Sequence, residues 1–284
     1  YKIDYVTGRL VIYTKSRVVS DDITINYKPY SDSSVRISLL GNSFLKLTDE
    51  DNNSIPEDCY IVRNIGDRKY IEIILTNSYL DTLNVGSYTY KVYTNPQGLE
   101  TSKGPLVCTF TVNVNKETPV IAEVPVTKAI TYGEALTSSS LTGGKMQHNS
   151  EDDITVEGSF TWKDANVKPT VADSEKTEYT VIFTPTDIGN YNVVEIPLCI
   201  TVNKAENIPN IPDNIMSVPY DIDKVSAVEL PIGWKWQDDD MNKELTVGTA
   251  VTAIAVYEGT DKGNYKNEIV SVSITRNECE HTWD

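Results

Sequence analysis

Histidine is nearly absent from this sequence: His148 and His281 are the only two. Basic residues are outnumbered, 25 Lys and Arg against 41 Asp and Glu, and four cysteines are scattered over 284 residues. Each scarcity excludes something. Catalysis needs an activated group held by partners, and His148 falls in a polar loop-like stretch while His281 has no second histidine near it. No Gly-x-Ser-x-Gly, His-Glu-x-x-His or phosphate-cradling glycine loop occurs. The chain reads as a non-enzyme without cofactor. Cysteine is too sparse for a disulfide scaffold, and clustered Lys and Arg for phosphate contacts are missing, so nucleic acid is not an expected partner. No apolar run is long enough to span a membrane. No secretory leader is recognisable, and the first residue is Tyr1 rather than Met, which reads as an excised piece of a longer protein.

What is present points to strands. Tyrosine dominates the aromatics, 17 against 4 Trp and 4 Phe. Val, Ile, Thr and Tyr fill the apolar runs, and these side chains suit a pleated, half-buried surface. No long stretch carries apolar residues at helical spacing, so the expected class is all-β. The acid is uneven. Residues 1–116 carry 13 basic and 13 acidic side chains, net zero; residues 117–284 carry 12 and 28, net −16. That charge favours solubility and a monomer, and protects strand edges from pairing with other chains.

The organisation comes from an internal repeat. Phe160-Thr-Trp162-Lys-Asp164 answers Trp234-Lys-Trp236-Gln-Asp238, and Thr186-Asp187-Ile-Gly189-Asn-Tyr191 answers Thr260-Asp261-Lys-Gly263-Asn-Tyr265. The offset of 74 carries Ile200-Thr-Val-Asn203 onto Ile274-Thr-Arg-Asn277. Upstream, Tyr132-Gly133 answers Tyr220-Asp221 at an offset of 88, which gives the earlier copy about 14 extra residues, assigned to a polar loop over 143–148. Trp162 and Trp236 are expected to anchor small cores. Gly189 and Gly263 are expected to take the left-handed conformation of a tight turn. Asn84-Val-Gly86-Ser-Tyr88 repeats the Asp/Asn-x-Gly-x-Tyr pattern in the first part of the chain.

Strands are expected near residues 9–13, 22–27, 60–63, 70–75, 88–93 and 106–114, a spacing that suggests a sandwich. Val114-Asn-Lys and Val202-Asn-Lys each end a strand shortly before a proline. The expected domains are 1–116, 117–205 and a shorter 206–277, with 278–284 starting a further segment. Together they read as tandem immunoglobulin-like β-sandwiches arranged as an extended rod.

The Asp-x-Gly-x-Tyr pattern resembles the tyrosine corner of immunoglobulin-like domains, with Tyr88, Tyr191 and Tyr265 in the place of its tyrosine. Tyr90, Val193 and Asn267 occupy the place of the second cysteine, so the inter-sheet disulfide is not expected. Residues 120–277 are similar to the immunoglobulin-like repeats of large surface proteins of gut Firmicutes, through Ile130-Thr-Tyr-Gly-Glu-Ala-Leu136, Phe160-Thr-Trp162, Tyr179 to Tyr191 and Leu230 to Trp236. Ser78-Tyr-Leu-Asp-Thr-Leu-Asn-Val-Gly86 resembles the X2-like modules of bacterial extracellular proteins. The resemblance implies an extracellular spacer or adhesion module, at the cell surface or secreted, with a host or cell-wall glycan or a host surface protein as partner.

Several sharper readings compete with the spacer. Tyr27, Tyr30, Tyr79, Tyr93 and Trp283 are candidates for stacking on sugar rings outside the predicted cores. Asp49-Glu-Asp51-Asn-Asn53 imitates a calcium loop, but Ser54 and Tyr60 stand where Gly and Glu are needed. The runs 151–153 and 238–240 are further carboxylate sources for a calcium-dependent adhesin. Cys279-Glu-His281 is two ligands short of a structural zinc site. Cys59 and Cys108 lie on candidate strands and are a possible pair. Cys199 is expected to point away from the face shared by Leu198, Ile200 and Val202. Lys–Asn isopeptide bonds occur in surface domains of the resembled class, and no pair can be chosen for one here.

Overall fold

The computed structural model describes residues 2–6, 9–13, 17–18, 22–29, 32–38, 45–65, 70–94, 104–150 and 153–279. The chain divides into two compact units. One comprises residues 1–122, 145–159 and 184–194; the other comprises 123–144, 160–183 and 195–284. The division runs through the 117–205 stretch, whose turns bond to neighbouring sequence on either side.

The first unit contains a sandwich. Its strands are β1 (Lys2–Val6), β2 (Arg9–Tyr13), β3 (Arg17–Val18), β4 (Asp22–Asn26), β5 (Ser33–Ser38), β6 (Leu45–Thr48), β7 (Tyr60–Ile65), β8 (Tyr70–Leu75), β9 (Gly86–Thr94) and β10 (Leu106–Asn115). β1 and β2 pair as a hairpin. The other eight form two sheets, β3-β5-β8-β7 and β4-β10-β9-β6. That is the ABED and CFG order of an immunoglobulin-like sandwich, with β4 added parallel to β10. Alternation drives it: on β10, Phe110, Val112 and Val114 are buried and the residues between them are not. They pack with Leu47, Ile71, Ile73, Leu75, Leu80, Tyr90 and Val92 in one core. Tyr90, in the place of the second cysteine, stacks on Phe110 with centroids 5.3 Å apart.

Residues 120–203 supply β11 (Val120–Glu123), β12 (Val126–Thr127), β13 (Ile130–Thr131), β14 (Leu141–Thr142), β15 (Lys145–Gln147), β16 (Thr155–Val156), β17 (Gly158–Trp162), β18 (Tyr179–Pro185), β19 (Val194–Leu198) and β20 (Val202–Asn203). In the first unit β11, β15 and β16 form a sheet. The stretch 143–148, expected as a polar loop, is thus partly strand. Gly143 and Gly144 turn the chain with φ of 65° and 83°, and Met146 and His148 then point inward and are buried. A side chain at Gly144 would meet Phe160 and Pro125 at 2.9 and 3.1 Å.

In the second unit β13 runs parallel to β20, β12 pairs β14, and residues 160–162 of β17, 179–183 of β18 and 195–198 of β19 belong to one sheet. The strands β21 (Ile215–Val218), β22 (Trp234–Trp236), β23 (Ala250–Tyr257) and β24 (Ile269–Arg276) form a sheet of order β21-β24-β23-β22, with β21 parallel to β24. Trp234, Trp236, Ala253, Ala255, Val272 and Ile274 belong to its core. Trp162 and Trp236 are both buried. Trp162 donates Nε1–H to Ser139 O at 3.1 Å, and Trp236 donates to Val228 O at 2.8 Å. Each carbonyl directly follows a one-turn 3-10 helix, Leu136–Ser138 or Val225–Ala227.

Candidate functional site

The most specific polar constellation occurs twice, once in each unit. Strand register defines its receiving half. Ile25 pairs Val114, Ile130 pairs Val202 and Val218 pairs Arg276, all in parallel ladders. Two residues past each first-named partner stands a tyrosine: Tyr27, Tyr132 and Tyr220. The Tyr27 N–H bonds Asn115 O at 2.8 Å, and the Tyr132 N–H bonds Asn203 O at 2.9 Å. The three tyrosines are therefore structural equivalents, and Asn115, Asn203 and Asn277 are likewise aligned.

The inserting half is the Asp-x-Gly-Asn-Tyr turn. In the first unit, Tyr191 meets Tyr27 edge to face at 5.4 Å and 87°. In the second, Tyr265 meets Tyr132 at 5.5 Å and 85°. Such pairs contribute about 0.5–1.5 kcal/mol beyond their burial. The main chain closes each joint in the same way. Glu117 N–H bonds Asn190 O, and Asn192 N–H bonds Glu117 O; Ala205 N–H bonds Asn264 O, and Lys266 N–H bonds Ala205 O.

Asn190 and Asn264 fasten the joints. Both are buried. Asn190 Oδ1 accepts Val85 N–H at 2.8 Å, and its amide donates to Asn84 Oδ1 and Asp187 Oδ2. Asn264 Oδ1 accepts Val171 N–H at 2.9 Å, and its amide donates to Asp261 O. Val171 opens a 3-10 turn whose capping box, Thr170 with Asp173, leaves that N–H without a partner inside the turn. Asn264 supplies the missing acceptor.

The electrostatics differ between joints. Asp261 gathers three hydroxyls: Tyr257 donates to Oδ1 at 2.7 Å, while Tyr265 and Tyr132 donate to Oδ2 at 3.1 and 3.5 Å. These bonds, Tyr257 first, hold the Asp261 carboxyl below its usual range. Burial, then the bond to Asp261, pushes Tyr265 up to about 12. In the first joint His148 stands between Lys28 O, 3.0 Å from Nε2, and Tyr191 Oη, 3.3 Å from Nδ1. A neutral ring protonated at Nε2 satisfies both contacts, with Tyr191 donating. Burial, then Asp187, raises the Tyr27 hydroxyl. These groups fasten segments to one another.

The expected site residues divide as follows. Tyr88 Oη donates to Asn84 O at 3.0 Å, the geometry of a tyrosine corner, at the start of β9. Tyr191 and Tyr265 stand elsewhere in the topology, in the turns after β18 and β23, and their roles are those of the joints. The shared Asp/Asn-x-Gly-x-Tyr pattern thus serves two different positions. Gly86, Gly189 and Gly263 do not have positive φ, contrary to expectation for the latter two. The turn at Gly263 is a right-handed 3-10 turn, Lys262–Asn264, which any residue can enter.

Of the sugar-stacking candidates, Tyr27 and Tyr79 are packed against the core rather than presented outside it. Tyr79 Oη lies 3.0 Å from Tyr90 Oη. Tyr93 is half-buried and donates to Asn52 Oδ1. Tyr30, Trp283 and His281 lie outside the described residues. Cys59 and Cys108 are free. Neither lies on the B and F strands that a sandwich disulfide joins: Cys59 precedes β7 and Cys108 is on β10. Burial pushes the Cys108 thiol up to about 12, so it is no thiolate near neutral pH. Cys199 is exposed while Leu198, Ile200 and Val202 are buried. The calcium-like stretch is a turn closed by its own residues: Asp49 accepts from Asn53 N–H and Nδ2, and Lys91 Nζ donates to Glu50 O. Asp240 is likewise engaged, by Ile254 N–H and Lys243. Glu151 and Asp152 lie outside the described residues. Among the described residues no three metal-ligating side chains cluster, and no helix is long and apolar enough to cross a membrane.

The Gly-Asn-Tyr tracts of the sequence carry no local signal of a role for Asn190 or Asn264. The aligned Tyr132 and Tyr220 were the available signal for the receiving half. His148 had no signal beyond its isolation.

No protein-family model matches the chain, and no curated protein is similar to it in sequence. Among solved structures, the I-band fragment I67-I69 from titin is similar at 10% identity and a TM-score of 0.34, covering 94% of this chain and 100% of that one. A complex of Dpr2 Ig1-Ig2 with DIP-Theta Ig1-Ig3 gives 7% identity and 0.32, covering 93% and 100%. The N-terminal Ig1-2 module of Drosophila receptor protein tyrosine phosphatase DLAR gives 9% and 0.23, covering 67% and 100%. Similarities with TM-scores of 0.34 and below carry no weight; the immunoglobulin-like character of the first sandwich stands on its own strand order.

Proposed function

We propose that this chain is a non-catalytic structural and adhesion-type segment of an extracellular bacterial surface protein, built of modules 1–116, 117–205 and 206–277. The observation that carries the reading is the recurrence of one joint. Tyr27, Val85, Asn190 and Tyr191 in one unit do what Tyr132, Val171, Asn264 and Tyr265 do in the other. In both, main-chain bonds, a buried amide and an aromatic pair satisfy one another and leave no group poised for a substrate. A chain that repeats its fastening is suited to transmitting force and keeping spacing, not to turnover. The surface location rests on the resemblance to bacterial immunoglobulin-like repeats. Glycan binding by the first module has less support, because Tyr27 and Tyr79 spend their rings on internal contacts.

The test is a screen of the whole chain against immobilised glycans, mucin and bacterial wall polysaccharide, with folding confirmed by a melt. The spacer reading expects no saturable signal. Saturable binding lost on Tyr93→Ala would replace it with a binding module.

A further inference from the structure

The receiving half of the joint occurs three times, and two copies are filled. Tyr27 is covered by Tyr191 and Tyr132 by Tyr265. Tyr220, fixed as their equivalent by the register of β21 on β24, is 48% exposed. Its surroundings are prepared rather than loose. The Arg276 guanidinium lies 4.6 Å from the centre of the Tyr220 ring and donates Nε–H to Tyr220 O. The Arg276 Nη1 donates to Leu245 O, Gly248 N–H bonds Arg276 O, and Asn277 N–H bonds Val218 O. The tyrosine, the end of the β24 ladder and the 246–249 segment are thereby held together. At the first joint, Lys28 stands 5.6 Å from the centre of the Tyr27 ring and Lys116 Nζ donates to Ile188 O of the inserted turn. Arg276 offers a comparable cation for a turn that begins with Asp.

We propose that the surface around Tyr220 is a docking site for one occupant: the Asp-x-Gly-Asn-Tyr turn of another module of the same repeat. The occupant is read from the filled joints, where that turn covers the equivalent tyrosine in both cases, with the His148 ring as a second neighbour of Tyr27 at 6.5 Å. The strand alignment also gives the register of entry. Glu117 and Ala205 form the parallel bridges to Tyr191 and Tyr265. Counting on from Asn115, Asn203 and Asn277, their equivalent is Cys279, so the main chain at Cys279 would bridge the tyrosine of the incoming turn. Both such turns in this chain are already engaged, so the site does not predict self-association of the chain. The inference goes beyond the proposed function: it holds or fails whatever the array does.

The test extends the whole chain. A second copy of residues 204–277, carrying Tyr220→Phe so that only the original Tyr220 is read, is joined directly after Asn277, which reproduces the Asn-Lys-Ala entry of the second joint. Nitration of Tyr220 by tetranitromethane is followed by peptide mass spectrometry. Tyr220 should react readily in the 1–284 chain and about tenfold or more slowly in the extended one, the factor expected of a clamp of this kind. Asn264→Ala with Tyr265→Ala, placed in the added copy alone, should restore the reactivity. Unchanged nitration in an extended chain whose added copy is folded by its tryptophan emission would overturn the proposal. So would an added copy that stays unfolded, since the surface then fails to do what Tyr132 and Val171 do. Protection that survives the double substitution would overturn it as well, because something other than the turn would be covering Tyr220.

Discussion

Asn190→Ala is the sharpest probe of the joint, because each bond it removes has an identified partner. The substitution takes away the acceptor of Val85 N–H and the two donations to Asn84 and Asp187. Asn84 is exposed, so water recovers much of what that bond loses. Val85 is half-buried, and its orphaned N–H is the larger loss, about 1–2 kcal/mol at the low end of the cost for an unpaired buried donor. Adding a fraction of a bond for Asp187 gives about 2 kcal/mol in all, or roughly 30-fold in a local opening equilibrium. The assay is amide hydrogen exchange at Val85, which reads that opening directly. Protection there should fall by about 30-fold while amides on β8, whose Ile71, Ile73 and Leu75 lie in the sandwich core, keep theirs. Asn190→Asp separates the terms. It keeps an acceptor for Val85 but sets a carboxylate 2.8 Å from Asp187 Oδ2 in place of the amide donor. Its loss should therefore shrink when the pH is lowered enough to protonate one of the pair. Val85 protection within about twofold of the parent in the alanine variant would refute the reasoning, because the Asn190 carbonyl would then not be what holds that N–H.

Other outcomes follow from the same contacts. Asn264→Ala should release Val171 N–H in the second joint, and exchange at Val171 should rise by a similar factor. Trp236→Phe leaves the buried Val228 carbonyl without its donor at a cost of about 1–3 kcal/mol, read as a lowered urea midpoint followed through Trp234. The Tyr265 hydroxyl, held near 12 in the fold against about 10 when unfolded, should ionise more easily in the unfolded chain; its contribution is intact below pH 10 and declines from there to about 12, a decline that Tyr265→Phe should remove. Asp261 has the opposite sign: its carboxyl is depressed by Tyr257 and Tyr265, so the stability it gives is present above the ordinary carboxylate pKa and is lost as pH falls through its folded value, which Asp261→Asn should flatten in an acid titration of the melt. Gly144→Ala should lower the melting midpoint, since φ is 83° there and a Cβ would stand 2.9 Å from Phe160.

Much of the fold is legible because alternation and ladder partners are local in sequence. Phe110, Val112 and Val114 announce a half-buried strand, and β10 buries them in that order. Trp162 and Trp236 announce small cores by size alone; both are buried, and Trp236 packs in the core that also holds Trp234 and Ile274. The stretch 143–148 was harder. Its glycines suggested a loop and do turn the chain, but the pairing of Met146 with Val156 is a contact that no local pattern encodes. The glycines of the two repeat turns misled for a related reason. A glycine beside Asp and Asn fits a left-handed turn on composition, yet the 3-10 turn at Lys262–Asn264 is set by its i to i+3 hydrogen bonding, which a sequence does not display.

The joints show where sequence similarity and structural role part company. Asn84-Val-Gly86-Ser-Tyr88 and Asp187-Ile-Gly189-Asn-Tyr191 look like two copies of one motif, yet the first tyrosine opens β9 and bonds its own upstream carbonyl, while the second follows β18 and reaches Tyr27. Of the positions at which they differ, the residue before the tyrosine, Ser87 or Asn190, is the one whose side chain makes the joint bond. A serine there lies on the sheet and donates to Asn113 across it. An asparagine can offer an acceptor and a donor at once, which is what fastening a neighbouring main-chain N–H while anchoring to its own turn requires. Among turns of this pattern, Asn in front of Tyr therefore marks the fastening kind and Ser the corner kind. Ser87→Asn should leave the Tyr88 corner bond to Asn84 in place and create no new clamp, because β9 already pairs that position with Asn113.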